Sequence, residues 1–284
     1  MNTTPSGPLS PSEQAGYSEQ SAISKQTGIS EQAALSRQTA PSGQTEDALL
    51  DGKVQLRQPA SGYRVAIDPI FLAAAVPAQP NDLVLDVGCG VGAAMLCLSA
   101  RTGCRGTGFE MQRDLVRLAG DNIELNELTS RLSVMHGDVA KPPGRLQPGA
   151  FDHVLTNPPY LEAGTAQASP DPGKAAANIE GSADLTTWIG LCLAMLRARG
   201  TLTIIHRADR LERILAPLSG RAGEIVIFPL WPGVGKPAKR VIVQARKQIS
   251  APTRLSPGMV LHEADGRYTK EADAILRHAA ALEL

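Results

Sequence analysis

The sequence predicts an α/β fold: a mainly parallel sheet with helices on both faces and an antiparallel last strand. Three observations predict it. Short apolar runs at 83–87, 105–109, 132–135, 152–156 and 201–206 read as strands. Amphipathic segments separate them. One places Leu115, Leu118, Ala119 and Ile123 on one face, and another does the same with Leu185, Trp188, Ile189, Cys192, Leu193 and Leu196. Strands alternating with helices argue for parallel pairing through right-handed crossovers. Finally, 224–230 and 240–245 are strands joined only by a Pro/Gly-rich loop, which suits an antiparallel pair.

The first segment is not expected to fold. Ser recurs every six positions from Ser12 to Ser42, and Gln follows two residues later each time. A six-residue period does not hold one face of a 3.6-residue helix. Six units make about two coils of a hexapeptide β-helix, too few to bury a core. Residues 1–47 are therefore expected to be a disordered repeat tail, and 48–284 a single domain. The N-terminus has neither a basic nor an apolar leader region, and the longest apolar runs fall short of the ~20 residues of a membrane span. The expectation is a soluble cytoplasmic protein, monomeric by default. The four cysteines, 89, 97, 104 and 192, form no Cys-x-x-Cys pair and read as small core residues. No metal is expected.

The first strand runs into Asp86-Val87-Gly88-Cys89-Gly90-Val91-Gly92. Glycines allow a tight turn and close approach of a ligand. Strand ends are where open α/β sheets bind ligands. Asp86, Gly88, Gly90 and Gly92 are candidate cofactor residues. Gly88-x-Gly90-x-x-Ala93 also satisfies the dinucleotide fingerprint, a weak match by itself. Glu110 ends the second strand, where a carboxylate can accept from both hydroxyls of a ribose. That points to an adenosyl cofactor without saying which; alone, Glu110 could be an acid at a helix start. Asp138 follows the third strand and could accept from the exocyclic amine of a bound adenine, or simply close a turn.

The fourth strand runs straight into Asn157-Pro158-Pro159-Tyr160. Two prolines hold the chain extended and offer no N–H. The Asn157 amide oxygen and the Pro158 carbonyl can then converge on one donor amine, and Tyr160 can stack on a planar group. Aromatics are only 4% of the chain, so a tyrosine there carries weight.

With these motifs in place, the chain resembles class I S-adenosylmethionine-dependent methyltransferases of the small type, and within them the bacterial tRNA1(Val) (adenine(37)-N6)-methyltransferases. The resemblance runs from about Gly52 to Tyr268. It includes the segment 63–72, in which Asp68 matches a family aspartate, the 235–241 loop and final strand, and the tail 262–269. The resemblance implies a Rossmann-like seven-stranded fold, S-adenosyl-L-methionine as cofactor and tRNA as partner. It implies a catalytic set of Asn157, Pro158, Pro159 and Tyr160, with Asp68 and Asn157 joining the cofactor residues. The hexapeptide tail and the zero net charge depart from the family.

The charge is unevenly placed. From 206 to 254 the chain carries net +7, so the remainder carries the opposite. Lys236, Lys239 and Arg240 are candidate contacts to RNA phosphates, although such residues are also ordinary solvated surface. Trp231 reads as a packed loop aromatic and His206 as structural. Other substrates use the same tetrapeptide: release-factor glutamine N5-methyltransferases carry Asn-Pro-Pro-Tyr, and guanine N2 rRNA enzymes carry similar sequences. The absence of a helical N-terminal domain speaks against the former. A nicotinamide-dependent oxidoreductase would leave Asn157-Pro-Pro-Tyr160 unexplained. A non-catalytic RNA-binding scaffold would have no use for intact Asp86, Glu110 and Asn157.

Overall fold

The apolar run Leu83–Val87 is a central strand of a nine-stranded sheet in the computed structural model, which describes residues 43–61, 64–159 and 183–284. The chain begins earlier than expected. Gln44–Leu49 (β1) and Val54–Pro59 (β2) form an antiparallel hairpin, so 44–47, assigned from sequence to the tail, are ordered strand. The turn is Leu50-Asp51-Gly52-Lys53, with positive φ at its first three residues. The other units of the Ser-x-Gln repeat lie outside the described residues.

Helix Asp68–Ala75 (α1) follows, its start fixed by Pro69, which needs no N–H partner in a first turn. Then come Leu83–Val87 (β3), Ala93–Thr102 (α2), Arg105–Glu110 (β4), Arg113–Leu125 (α3), Leu132–His136 (β5) and Phe151–Thr156 (β6). After the undescribed stretch, Leu185–Met195 (α4) runs without a loop into Leu196–Arg207 (β7). Leu196, expected on the helix face, is therefore the first residue of a strand. The short helix Leu211–Leu215 (α5), Ala222–Trp231 (β8), Arg240–Lys247 (β9), Arg254–Leu255 (β10), Met259–Val260 (β11) and Lys270–His278 (α6) complete the order.

The sheet order is β10-β8-β9-β7-β6-β3-β4-β5, with β11 also pairing β8. Strands β3 to β7 pair in parallel, while β9 is antiparallel to both its neighbours, β7 and β8. This is the expected sheet of seven, to which β10 and β11 add two residues each at the β8 edge. Alternation along each strand sends residues to opposite faces. Val84 and Leu155 join the core beneath α1, α2, α3 and α6, whereas Leu85, Val87 and Val154 join the core beneath α4 and α5. Among the described residues, no helix is long and apolar enough to cross a membrane. The four cysteines are buried and free, as small core residues should be.

Candidate active site

Four neighbouring strands end along one edge, and each delivers a residue singled out by the sequence. In the ladder Val87 opposes Phe109 on β4 and Thr156 on β6, while Glu110 opposes His136 on β5. The Gly88 turn, Glu110, Asp138 and Asn157 therefore leave the sheet side by side. Hydrogen-bonded strands lie about 4.8 Å apart, so the glycine turn and Asn157 start one strand spacing from each other.

The turn is built as its glycines require. Gly88, Gly90 and Gly92 have φ of 73°, 56° and 87°, a region that favours glycine. A Cβ at Gly90 would meet nothing within 4 Å, whereas one at Gly88 would sit 2.7 Å from the Trp188 ring. The turn is thus open at Gly90 and closed at Gly88. Gly88 and Cys89 donate to the Phe109 carbonyl at 2.7 and 3.2 Å.

Glu110 is buried, and its two oxygens accept from Gly90 N–H at 3.1 Å and Gln112 N–H at 2.8 Å. A carboxylate has about four acceptor positions, so two remain for a ligand. Next to it Met111 is 47% exposed, a large apolar side chain at the rim of the turn. Sequence reasoning passed over Met111; its only signal was an apolar residue directly after the strand-ending acid.

Asp86 is buried beneath the turn, and its Oδ2 has no hydrogen-bond partner. Burial pushes its carboxyl up to about 7, the Met95 backbone N–H opposes this, and the Glu110 charge adds to it. An orphaned buried carboxyl oxygen, an open glycine turn, spare acceptor positions on Glu110 and an exposed Met111 fit a nucleoside joined to a cationic amino-acid group. Asp138 accepts from Ala140 N–H at 2.8 Å, a turn-closing bond.

Asn157 is half-buried and Pro158 buried. Tyr160 lies outside the described residues. His206, at the end of β7, is buried, and its Nε2 is 3.4 Å from the Pro159 carbonyl. A carbonyl only accepts, so Nε2 carries the proton in this contact. Burial lowers the His206 pKa to about 4, assisted by the charges of Arg240 and Arg207 and opposed by its bonds to backbone at Pro159 and Arg207. A neutral imidazole thus braces the proline turn, which gives the structural reading of His206 a specific content.

Two of the residues expected at ligands meet each other. Asp68, expected at the cofactor, is buried at the start of α1, and its Oδ2 accepts from Arg240 Nε at 2.8 Å. Arg240, expected on RNA phosphates, is a half-buried member of that ion pair rather than part of the exposed surface. A desolvated pair of this kind ties α1 to the start of β9. Lys236 and Lys239 are exposed on the 232–239 loop at the same edge. Trp231, expected as a packed loop aromatic, is the last residue of β8 and donates from Nε1 to the Pro257 carbonyl at 3.0 Å. Among the described residues, no cluster of three or more His, Cys, Asp or Glu could hold a metal.

Known proteins resemble this chain. Residues 64–170 match the family described as methyltransferase small domain. The chain is 25% identical to a tRNA1(Val) (adenine(37)-N6)-methyltransferase of Shewanella sediminis, covering 76% of this chain and 91% of that one. It is 28% identical to the protein of the same name in Aeromonas salmonicida, over 72% and 85% of the two chains. Among solved structures, a predicted O-methyltransferase from Agrobacterium tumefaciens superimposes with a TM-score of 0.64 at 25% identity, over 76% of this chain and 98% of that one.

Proposed function

We propose that this chain, an S-adenosylmethionine-dependent methyltransferase of the small-domain type, methylates the N6 amine of an adenine in a tRNA anticodon loop. The observation that carries the reading is the register of Val87 against Thr156, which starts the cofactor turn and the Asn157 turn from adjacent positions. The relatives' names, at 25–28% identity, supply the choice of adenine and tRNA.

S-adenosylmethionine supplies an electrophilic methyl group on its sulfonium. The residues of this chain bind it and aim the acceptor. Gly88, Gly90 and Gly92 admit the amino-acid end, Glu110 accepts from the ribose hydroxyls, and Met111 offers apolar surface to the base. Asp86 lies below as the counter-charge. The Asn157 amide oxygen and the Pro158 carbonyl accept the two N–H bonds of the target amine, which holds its lone pair towards the methyl group. The gain comes from orientation and fixed dipoles rather than from a covalent intermediate. His206 holds the turn that presents the acceptors, and Tyr160 stacks on the base. A base must leave its stack to enter, which costs least in a single-stranded loop. Lys236 and Lys239 meet the RNA backbone. On this reading the enzyme works in the cytoplasm, with a monomer as the default state.

The test is incorporation of labelled methyl into unmodified tRNA followed by nucleoside analysis. The wild type yields N6-methyladenosine. Asn157→Ala keeps the fold and most cofactor affinity but loses transfer, a defect in kcat rather than uniform binding. Label on a release-factor glutamine or on guanine overturns the substrate, and full activity in Asn157→Ala overturns the mechanism.

A further inference from the structure

The spacing of 185–196 places Trp188 on an apolar helix face, yet Ile189 and Cys192 on that face are fully buried and Trp188 is not. Its indole reaches from α4 to the ligand edge of the sheet. Nε1–H donates to Thr156 Oγ1 at 2.8 Å, and the Thr156 hydroxyl donates in turn to the Val87 carbonyl at 2.7 Å. The six-membered ring lies against Gly88, where a Cβ would sit 2.7 Å from Cζ2. One side chain therefore touches Gly88 directly, Thr156 directly and Val87 through Thr156.

These residues root the two halves of the site. Val87 and Thr156 are register partners and the last residues of their strands. Beyond them Gly88 has no side chain to anchor it, and the two prolines after Asn157 offer no N–H to the ladder. A hydroxyl that accepts from one group and donates to another also polarises both bonds, which strengthens the pair.

We propose that Trp188 is a positioning residue for methyl transfer, setting the separation between the cofactor turn and Asn157 through Thr156 and Gly88. The inference rests on the reading of Asn157 as the acceptor of the target amine. Trp188 works here by geometry alone. Near-attack geometry is steep, and a displacement of about 1 Å costs on the order of 100-fold in rate.

The experiment compares Trp188→Phe, Thr156→Val, Thr156→Ser and the double variant Trp188→Phe/Thr156→Val in the full chain, with Asn157→Ala alongside. Phe keeps the ring against Gly88 and removes the N–H; Val keeps the shape of Thr and removes the hydroxyl. Each single variant lowers kcat by roughly tenfold or more, with KM for tRNA and Kd for S-adenosylhomocysteine within about threefold of wild type. The double variant is no slower than the worse single, because both remove one linkage. Thr156→Ser recovers most of the lost rate. Wild-type kcat in both single variants, or losses that multiply in the double, overturns the proposal. So does a fall in activity that only tracks a fall in Tm. Should Trp188→Phe fail to fold, Thr156→Val and Thr156→Ser carry the same comparison. If Asn157→Ala is inactive while both link variants are fully active, this inference alone fails. If Asn157→Ala is active, the reading of the acceptor fails first.

Discussion

Asp86 sits far from the chemistry of a free carboxyl. An unfolded aspartate loses its proton near 3.8, but burial holds this one until about 7. Between those values the folded chain carries one proton more than the unfolded chain. Its contribution to stability is therefore greatest below 3.8 and is lost as pH rises through 7. The groups facing it do not relieve the strain: Glu110 is acidic, and burial raises the thiols of Cys89 and Cys192 so that they stay neutral. The ammonium of a ligand's amino-acid end reverses the balance, because a positive charge beside Asp86 favours its ionised form. Affinity for S-adenosylhomocysteine should therefore rise with pH up to about 7 and level off above it. Binding below that pH should release a proton. Calorimetry in two buffers of different ionisation enthalpy measures the release directly. Asp86→Asn should abolish both the release and the pH dependence, weaken binding, and raise Tm at pH values above 7. A pH-independent affinity in the wild type would contradict the assignment of Asp86 to the ligand.

At the scale of elements, the β1–β2 hairpin shows how far sequence patterning reaches. The parallel strands were legible because each carries a short apolar run, and the first three of them, β3, β4 and β5, end at a glycine or an acid. The hairpin was not, because Gln44–Leu49 is polar and mostly half-buried. Its clearest signal was Asp51-Gly52 followed by alternation at Val54, Leu56 and Gln58, all three buried. What ties its second strand to α3 is invisible to local patterning. Asn122 on α3 and Asn126 just past its end use their amides as a strand would. Asn122 accepts from Arg57 N–H at 2.7 Å and donates to the carbonyls of Arg57 and Val91 at 2.9 and 3.0 Å. Asn126 repeats the exchange with Gln55, at 2.9 and 2.7 Å. A helix face read as apolar at Leu118, Ala119 and Ile123 thus hides a buried polar residue whose partners come from 65 and 31 positions away. Trp188 was underread for the same reason, its partner Thr156 being 32 residues earlier. Asn122 also ties the hairpin to Val91 in the cofactor turn. Asn122→Leu leaves those backbone groups without partners and should lower stability by roughly 2–4 kcal/mol. Asn126→Ala, at a more exposed site, should cost about 1 kcal/mol. Urea denaturation with unchanged m-values checks both, and equal costs would contradict the role given to Asn122.

Over the whole molecule the charge that looks continuous in sequence is divided in space. The strands at the basic end alternate in direction, so β9 carries Arg240 at the ligand edge and Arg246 and Lys247 at the opposite edge. Arg221 precedes β8 at that opposite edge, where its carbonyl accepts from Gln248 N–H at 2.9 Å. Several of the cations there already hold the fold: Arg246 pairs with Glu224, and Lys247 and Arg254 donate to the carbonyls of Leu196 and Leu284. The local excess of +7 over 206–254 therefore overstates what one RNA could meet. At the ligand edge, the exposed 232–239 loop presents Lys236 and Lys239 beside the ends of β7 and β8, while Arg240 is engaged with Asp68. Each phosphate contact contributes close to one unit of slope in the logarithm of binding against the logarithm of salt. Reversing Lys236 and Lys239 to Glu should weaken tRNA binding and reduce that slope by about 2. Reversing Arg221 and Arg246 should leave the slope where it was, although it changes net charge by the same amount. Filter binding across a salt series separates the two. Equal effects from both pairs would mean that tRNA responds only to net charge, and the ligand edge would lose its claim to the RNA backbone.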